Sequence, residues 1–333
     1  MRLQVFTSDD VFDALGNDWN PLLKNSQCDH IFLTREWLQT WWEAYHPGEL
    51  LVIVGYADNG ELAGIAPWFI VQQGGERLIH TIGCVDVTDY LDIIAADQYK
   101  EAFFSALAEH LATFDGFDRL ELCNIPERSP TLAVFPEMLK KQRFNIKMEV
   151  QEVCPIIPLP GTWDDYLASL GKKQRHELRR KLRRASGKVS WYIVGPEHDL
   201  ASELAHFLRL MAASSEEKAQ FLQDERNLTF FKLMAPRIMA KGWLQLSILT
   251  VDGEPAAAYL NFDYNNRILV YNSGQDITRF GTLSPGIVLL AYTIRHAIEQ
   301  GRAEFDFLRG DEPYKYQMGG QDSRVFLLTA ARA

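Results

Sequence analysis

The sequence predicts an α/β (α+β) protein whose two halves repeat one order of elements. Helical and strand-forming segments alternate along the 333 residues. Each half contains helices, an antiparallel meander, a helix, a strand, a helix and a last strand. A proline-rich segment, PIIPLPG, separates the halves, and proline removes a backbone donor and fixes φ. The predicted organisation is domain 1–154, linker 155–161 and domain 162–333.

The first half shows clear helix and hairpin signals. Thr34 suits the N-cap of a helix that Pro47 and Gly48 would stop. The turn Asp58-Asn59-Gly60 lies between two apolar, β-branched runs, which is typical of a hairpin. We predict helices at residues 9–24, 35–45, 99–114 and 131–142, and strands at 50–56, 61–71, 77–83, 90–95, 119–124 and 144–153.

The second half begins with a basic helical segment and continues into a meander. Two-residue turns, Asp252-Gly253 and Asn265-Asn266, separate the meander strands. We predict helices at residues 163–186 (broken near Gly171), 200–240 (two or three), 285–300 and around 314, and strands at 189–194, 242–251, 255–263, 267–273, 304–308 and 324–330.

Charge is distributed unevenly along the sequence. The chain carries 34 Lys and Arg against 44 Asp and Glu, a formal net charge of −10. Residues 172–188 hold nine Lys or Arg and one Glu, a net +8, so the remainder carries −18. The acidic total argues against a protein that coats nucleic acid or membrane over its whole surface, and the concentration of positive charge in the basic segment needs an explanation of its own.

The sequence shows no signal for secretion, membrane spanning or metal binding. The opening MRLQVFTSDDVFDAL lacks the apolar run of a signal peptide, and the apolar run 287–294 is shorter than the ~20 residues of a span. The eight histidines have no H-E-x-x-H spacing. Cys28, Cys84, Cys123 and Cys154 have no C-x-x-C spacing. We therefore expect a cytoplasmic protein with four free thiols and no metal.

Residues 279–286, RFGTLSPG, leave a strand and begin a helix. Ser284 suits the N-cap, and Gly286 adds no side chain to the first turn. The first N–H groups of a helix lack internal partners and lie at the positive end of its dipole, so this junction predicts an anion site. Gly281 would allow close approach of a ligand, and Arg279 would add a charged contact. The alternative is a helix start that binds nothing.

The segment EFDFLRGDEPYKYQMGG gathers polar side chains at the end of a strand and in the loop that follows. Tyr314 is placed to give a proton to a leaving group, and Lys315 to stabilise negative charge. We expect Asp306, Tyr314 and Lys315 to be catalytic and Arg309 to bind substrate, with Asp311 nearby. The alternative is a structural ion pair between Asp306 and Arg309, with the other side chains merely packing.

Several segments of the second half, taken in order, resemble the GCN5-related N-acetyltransferase (GNAT) superfamily. They are the basic helix KKQRHELRRKLRR, the strand DGEPAAAYLNF, the SPG helix start and the closing FDFLRGDEPYKYQMG. The chain is most similar to the bacterial CelD-like family of cellulose and exopolysaccharide biosynthesis, a relative of the Fem-type aminoacyl transferases. The resemblance covers about residues 165–320. It implies tandem GNAT-like domains, each a mixed, largely antiparallel sheet with helices on both faces.

The resemblance also implies a donor and its site. In the superfamily, acyl-CoA lies in a gap between splayed central strands, with its pyrophosphate on the loop before a helix. Tyr314 matches the tyrosine that often serves as general acid. The usual loop, Q/R-x-x-G-x-G/A, is not reproduced because the glycines are displaced, and Fem-type relatives use aminoacyl-tRNA instead. The positions that match the acyl-CoA loop are Arg279, Gly281, Thr282, Ser284 and Gly286.

The basic helix carries cations over most of its circumference beside a narrow apolar stripe at Leu178 and Leu182. Like charges at i,i+4 repel one another, and a bound anion would relieve the repulsion. Pairing with the chain's own surplus carboxylates is an equal alternative. The residues expected to bind an anionic substrate are Arg179, Arg180, Arg183 and Arg184.

The aromatic residues Trp37, Trp41, Trp42 and Tyr45 lie at helical spacing. An amphipathic helix needs such a stripe for its core face, so we predict core packing here, with a sugar-stacking platform as the alternative.

Three functions follow as hypotheses. The first is an acyltransferase that moves an acyl group, in the simplest case acetyl, from acyl-CoA to an amine or hydroxyl of a sugar, nucleotide-linked glycan or envelope precursor. The second is a Fem-type transferase that uses aminoacyl-tRNA, and the third is a non-catalytic binding subunit of an exopolysaccharide assembly. Direct transfer needs no enzymic nucleophile, and no G-x-S-x-G motif suggests a serine hydrolase. Glu254 and Asp263 flank a meander strand and are candidate bases.

Overall fold

The chain divides into two compact units in a computed structural model that describes residues 1–84 and 87–332. Unit 1 comprises Met1–Val153 together with the segment that begins at Ser323, and unit 2 comprises Cys154–Asp322. Each unit combines a largely antiparallel sheet with packed helices. The predicted α/β class is confirmed.

Unit 1 begins with a strand and continues through helices into a meander. Its strands are β1 (Arg2–Phe6), β2 (Glu49–Tyr56), β3 (Leu62–Gln73), β4 (Glu76–Thr81), β5 (Ile94–Ala95), β6 (Arg119–Pro126) and β7 (Phe144–Pro158), the last of which runs on into unit 2. Its helices are α1 (Asp10–Ala14), α2 (Gly16–Lys24), α3 (Arg35–Tyr45), α4 (Lys100–Thr113) and α5 (Pro130–Lys141), with a 3-10 turn at Ile31–Leu33.

Local signals fix several of these boundaries. The Thr34 side chain accepts the Trp37 N–H at 3.3 Å and caps α3, which ends at His46 in the left-handed region (φ 40°). The predicted helix over 9–24 divides at Leu15 into α1 and α2. The rings of α3 are buried, with Trp37 and Trp41 both 0% exposed, so the prediction of core packing is confirmed.

After the end of β7, unit 2 continues through two helices, a strand and three further helices before its meander. Its helices are α6 (Trp163–Ser169), α7 (Lys172–Ala185), α8 (Leu200–Ser214), α9 (Glu216–Phe221), α10 (Glu225–Ala240), α11 (Ile277–Phe280), α12 (Pro285–Glu299) and α13 (Pro313–Gln317), with a 3-10 turn at Gly281–Leu283. Its strands are β8 (Val189–Ile193), β9 (Leu244–Val251), β10 (Glu254–Tyr264), β11 (Arg267–Gln275) and β12 (Glu304–Asp306).

The two turns of this meander have the conformation that their residues predict. Asp252 and Gly253 have φ of 51° and 83°, and Asn265 and Asn266 have φ of 49° and 59°. Two successive positive φ values match the twist of a tight hairpin, and Asn, Asp and Gly tolerate them. The turns fix β9, β10 and β11 as an antiparallel meander, and β12 then pairs parallel to β11.

Helix α12 supplies much of the core of unit 2. Val288, Leu289 and Ile294 are 0% exposed and belong to one cluster with Tyr259 and Phe305 of the strands. Over the described residues, no single helix is long and apolar enough to span a membrane. The segments Ile277–Leu283 and Pro285–Glu299 reach the length and composition of a span only as a pair bent by 60°.

The last strand, β13 (Gln321–Arg332), pairs with unit 1. It was expected to close the second half, but it runs antiparallel to β6, with Val325 opposite Pro126 and Ala331 opposite Arg119. Alternating apolar residues predict a strand without naming its partner, so the sequence pattern suits either half.

The proline-rich segment is partly a strand. Residues 155–158, predicted as the start of a linker, are the end of β7, where Ile156 and Ile157 pair with β12. A proline still offers its carbonyl, and Pro155 O accepts the Phe307 N–H at 2.9 Å.

Two of the four cysteines form a disulfide. The Sγ atoms of Cys84 and Cys123 lie 2.15 Å apart, so the prediction of four free thiols is wrong for this pair. Strands β4 and β6 are parallel neighbours, which brings Cys84, three residues after β4, close to Cys123 within β6. Cys28 and Cys154 are buried free thiols.

Candidate active site

The parallel strands β11 and β12 of unit 2 separate soon after they pair. Their register contains three residue pairs, the last of which is Leu269 with Asp306. Strand β12 ends there, whereas β11 continues to Gln275, and Tyr271 is a bulge in the pairing of β11 with β10. Beyond the last pair the two segments no longer pair with each other, and we call the region between them the β11–β12 gap. A gap between splayed central strands is the feature that the resemblance implied.

Helix α8 holds one wall of the gap. A Cβ on Gly274 of β11 would lie 2.3 Å from the backbone nitrogen of Met211, so only a glycine allows this close packing. At the end of α8, the Ser214 Oγ accepts the Gln275 N–H at 2.8 Å. These contacts fix the position of the part of β11 beyond Leu269, which does not pair with β12.

Lys218 of α9 binds the same wall through its ammonium group. Its Nζ donates to the Ser273 carbonyl at 2.6 Å and to Asn272 Oδ1 at 3.0 Å. Burial lowers the pKa of Lys218, and the nearby carboxylates of Glu312 and Glu217 oppose the shift. An ammonium has three N–H donors, so the two contacts leave one for a further acceptor.

Lys315 holds the other wall, where the chain leaves β12. Its side chain is 3% exposed, and its Nζ donates to the carbonyls of Arg309 at 2.6 Å and Gly310 at 3.1 Å. Its Nζ also lies 2.8 Å from Glu312 Oε2. Lys315 thus holds the loop against the start of α13 through contacts with the chain itself.

Asp306 shapes the first turn of this loop. Its Oδ1 accepts the Leu308 N–H at 2.8 Å, and Leu308 has a φ of 57°, in the region that disfavours branched side chains. Asp306 is 1% exposed. The carboxylate therefore lies at the base of the gap as a buried turn-forming group.

Tyr314 packs against the core beside the gap. Its ring meets Phe307 edge to face, with centroids 5.9 Å apart. Burial raises the pKa of Tyr314 well above its ordinary value, with additional contributions from Tyr259 and the Glu312 carboxylate. Tyr259 is opposite Ser273 on β11 and hydrogen-bonds to its side chain. The Tyr314 hydroxyl therefore stays protonated at neutral pH and has a proton to donate.

The loop before α12 differs in detail from the predicted anion site. Ser284 has a φ of 53° and makes no side-chain cap hydrogen bond. The Gly286 N–H donates to Gln275 Oε1 at 3.2 Å, so a side-chain oxygen already occupies one donor of the first turn. Gly281 has a φ of −55°, which any residue adopts.

Two arginines near this loop are engaged by other groups of the protein. Arg279 forms an ion pair with Glu254, and its guanidinium lies 4.9 Å from the ring centroid of Phe280. Arg184 of α7 donates to the Thr282 carbonyl at 3.0 Å. Thr282 is exposed.

The acidic residues named as candidate bases are both paired with arginine. Glu254 contacts Arg279, and Asp263 Oδ2 accepts from Arg302 at 2.7 Å. Glu312, which the sequence analysis did not single out, borders the gap instead, between Lys218 and Lys315.

Helix α7 is poor in carboxylate partners. Glu177 forms an ion pair with Arg180, with Oε1 2.6 Å from Nη2, and their contact lowers the pKa of Glu177 to about 2. Among the residues that the structure describes, no other carboxylate lies within ion-pairing distance of a Lys or Arg of this helix. The alternative of internal neutralisation therefore holds for Arg180 alone.

The structure thus separates the predicted residues into groups. Asp306, Tyr314 and Lys315 border the gap, whereas Arg279 faces a carboxylate. Lys218, Tyr259, Asn272, Gln275 and Glu312 escaped sequence reasoning, because their proximity depends on how α9, β10, β11 and the loop before α13 pack. Within the described ranges, no three His, Cys, Asp or Glu residues are grouped as metal ligands.

Residues 172–316 match the model of a family described as acetyltransferase (GNAT) domain. The matched residues all lie within unit 2. No match was found among curated protein sequences.

Solved structures show the same architecture over the whole chain. FemX is 13% identical with a TM-score of 0.68, covering 98% of this chain and 97% of that chain. L-PGS from Bacillus licheniformis is 12% identical with a TM-score of 0.57, covering 98% and 92%. A tandem GNAT protein from the clavulanic acid biosynthesis pathway is 13% identical with a TM-score of 0.51, covering 100% and 99%. These similarities establish the fold, and the predicted tandem GNAT-like architecture is confirmed.

Proposed function

We propose that the protein is an acyltransferase that moves an acyl group, in the simplest case acetyl, from acyl-CoA to an amine or hydroxyl. The acceptor proposed is a sugar, a nucleotide-linked glycan or another exopolysaccharide or envelope precursor. The observation that carries the proposal is the β11–β12 gap, which has a protonated tyrosine, Tyr314, beside it in a GNAT-type domain.

The residues around the gap fit an acyl-CoA donor. Beyond Leu269, β11 has no β12 residue opposite it, and an extended amide-containing chain can pair with such a strand edge. The loop from Thr282 to Gly286 and the first turn of α12 would hold the phosphates, once the Gln275 side chain rotates away from the Gly286 N–H. When bound, the donor supplies an activated thioester carbonyl.

Direct acyl transfer needs no covalent intermediate on the protein. The acceptor nitrogen or oxygen forms a bond to the acyl carbon as the carbon–sulfur bond breaks, and Tyr314 donates its proton to the leaving sulfur. Lys218 lies on the β11 wall with one N–H unaccounted for, which suits it to stabilise negative charge in the transition state. Glu312 is the carboxylate beside the gap that is placed to take the acceptor proton.

A Fem-type transferase with an aminoacyl-tRNA donor is the second candidate. The cationic α7 favours it, and the similarity to FemX and L-PGS is compatible with it at the level of fold. Against it, the chain outside residues 172–188 carries a net charge of −18, which opposes an extended RNA contact.

Calorimetric titration with acetyl-CoA and, separately, with tRNA tests both candidates. We expect micromolar acetyl-CoA binding that weakens about tenfold or more in Gly286→Asp, because a carboxylate would stand beside the phosphates. Gly286→Asn is the matched control. A Cβ at this position meets only the flexible Gln275 side chain, so both variants should fold, and the neutral amide should bind within a few-fold of wild type.

Binding of tRNA without acetyl-CoA would move the assignment to the Fem-type candidate. Binding of neither would reject both, and equal effects of Asp and Asn would remove the phosphate site from α12.

A further inference from the structure

An open groove of about 710 Å³ runs along the exposed side of α7. We call it the α7 groove, and its volume is within the range of about 300–1,000 Å³ that is common for small-molecule sites. Its lining residues are Lys172, Lys173, Arg175, His176, Glu177, Arg179 and Arg183.

The groove presents permanent positive charge that the chain does not neutralise. Five Lys and Arg side chains line it against one carboxylate, Glu177, which is already bound by both Nε and Nη2 of Arg180. Arg175 donates to the Ala168 carbonyl at 3.3 Å, but this neutral partner does not cancel its charge. Like charges along the helix repel one another, and a bound multivalent anion would relieve that repulsion.

The cations follow one face of the helix. Lys172, Arg175, Arg179 and Arg183 are separated by three or four residues, which places them in a stripe about 16 Å long at the rise of an α-helix. This length exceeds a single phosphate and suits two linked phosphates with the group attached to them.

The structure divides the four arginines that the sequence predicts as substrate-binding. Arg179 and Arg183 line the groove. Arg180 is occupied by Glu177, and Arg184 by the Thr282 carbonyl of the loop before α12. The Arg184 contact links α7 to the loop where the donor phosphates are proposed to bind.

The surroundings of the groove favour a small ligand over a membrane or RNA. A helix that lies on a bilayer inserts apolar side chains, but Leu178 and Ala185 of α7 are buried in the core and Leu182 packs against it. An RNA chain would extend past α7 onto a protein whose remaining charge is −18.

We propose that the α7 groove binds the diphosphate of a small nucleotide-linked acceptor. This inference rests on the proposed acyltransferase function only in assigning the ligand the role of acceptor. The binding itself does not depend on which donor the protein uses. Arg179 and Arg183 form charge-assisted hydrogen bonds to the phosphates.

Calorimetry with UDP-N-acetylglucosamine and with inorganic pyrophosphate tests the groove. We expect both to bind wild type, with affinity that falls as NaCl rises from about 50 to about 200 mM. Arg179→Gln/Arg183→Gln should weaken both ligands about tenfold or more and flatten the salt dependence. Lys181→Gln/Lys188→Gln removes the same charge from positions outside the groove and should change affinity less than about twofold.

Acetyl-CoA, a single-stranded RNA of about 20 nucleotides and vesicles with about 30% phosphatidylglycerol complete the set of probes. UDP-N-acetylglucosamine should bind equally well when acetyl-CoA is saturating. Mutual exclusion would overturn the proposal by assigning the groove to the donor. Equal losses in the two double variants would overturn it as general electrostatics. RNA or vesicle binding that needs Arg179 and Arg183, without nucleotide binding, would overturn it in favour of that partner. If acetyl-CoA is the one ligand that does not bind, the proposed donor is rejected and the groove proposal stands.

Discussion

The two units contain the same parallel strand pair and differ in what lies beside it. In unit 1, β4 and β6 pair over three residues, from Leu78 with Arg119 to His80 with Glu121. In unit 2, β11 and β12 likewise pair over three residues. In each unit the pair follows an antiparallel meander and precedes a helix that begins with proline.

In unit 1 the chain itself lies against the end of the second strand. The segment after β4 contains β5, which pairs with β3, and the Leu91 N–H donates to the Asn124 carbonyl at 3.0 Å. The Asn124 amide in turn donates to the Thr88 carbonyl at 2.8 Å. In unit 2 no such segment exists, because α11 begins two residues after β11 ends.

The helices that follow show the same contrast. Pro130 starts α5, and the next residue, Thr131, donates its hydroxyl to Asp92 of the segment after β4. Pro313 starts α13, and the next residue is Tyr314. One unit thus uses this position to bind its own chain, and the other places a protonated phenol beside two strands that no longer pair. The comparison teaches that the candidate site exists where the filling segment is absent.

Removing the phenol tests the open side of this comparison and should have the largest effect. We expect Tyr314→Phe to lower kcat about 10³-fold, because a positioned general acid contributes on this scale. The raised pKa keeps wild-type Tyr314 protonated, so kcat should not fall through its ionisation below about pH 10. Steady-state kinetics over pH measure both.

Tyr316→Phe is the control on the same helix, since its exposed hydroxyl contacts Asp322. Similar losses in both variants would remove Tyr314 from the chemistry.

Replacing Lys315 tests how much this residue stabilises the loop beside the β11–β12 gap. Lys315→Met leaves three backbone carbonyls without their ammonium donor, so we expect a loss of about 3 kcal/mol in the free energy of unfolding. Urea denaturation measures it, with the exposed Lys188→Met as reference. A change below about 1 kcal/mol would show that the loop is held by other contacts.

Asp92 tests the filled side. Burial raises its pKa to about 6, although hydrogen bonds from Ser129, Thr131 and the Ile93 N–H oppose the shift. The folded protein therefore binds a proton that the unfolded chain releases between about pH 4 and about pH 6, and stability from this group falls as pH rises through that window.

The free energy of unfolding of wild type should fall, relative to that of Asp92→Asn, by about 3 kcal/mol as the pH rises from about 4 to about 7. Urea denaturation at each pH measures this difference. The exposed Asp18→Asn is the reference, with a constant difference expected. A constant difference for Asp92→Asn as well would show that the carboxyl is not protonated in the folded state.

Local chemistry in the sequence predicted much of unit 2. The turns Asp252-Gly253 and Asn265-Asn266, the break near Gly171 and the start of α12 at Pro285 follow from backbone preferences of the residues present. The segments that border the gap were also identified, because polar side chains after a short strand stand out from the core pattern.

Tertiary proximity accounts for what was missed. Nothing local indicates that Lys218 of a short helix reaches Asn272, or that Lys315 is buried against carbonyls instead of facing solvent. The disulfide between Cys84 and Cys123 depends on strand order, and so does the partner of β13. A periodic pattern reports which face of an element is apolar, but not which element covers it.

The pairing of β13 with β6 has a consequence for biosynthesis. Unit 2 is one continuous stretch, whereas unit 1 needs residues from Ser323 onward to supply a strand beside β6, about 200 positions after Arg119. A ribosome therefore releases every residue of unit 2 before it releases the strand that completes unit 1. The first 153 residues of unit 1 emerge first and keep the edge of β6 uncovered. Unit 2 is made later but is the first that can finish folding.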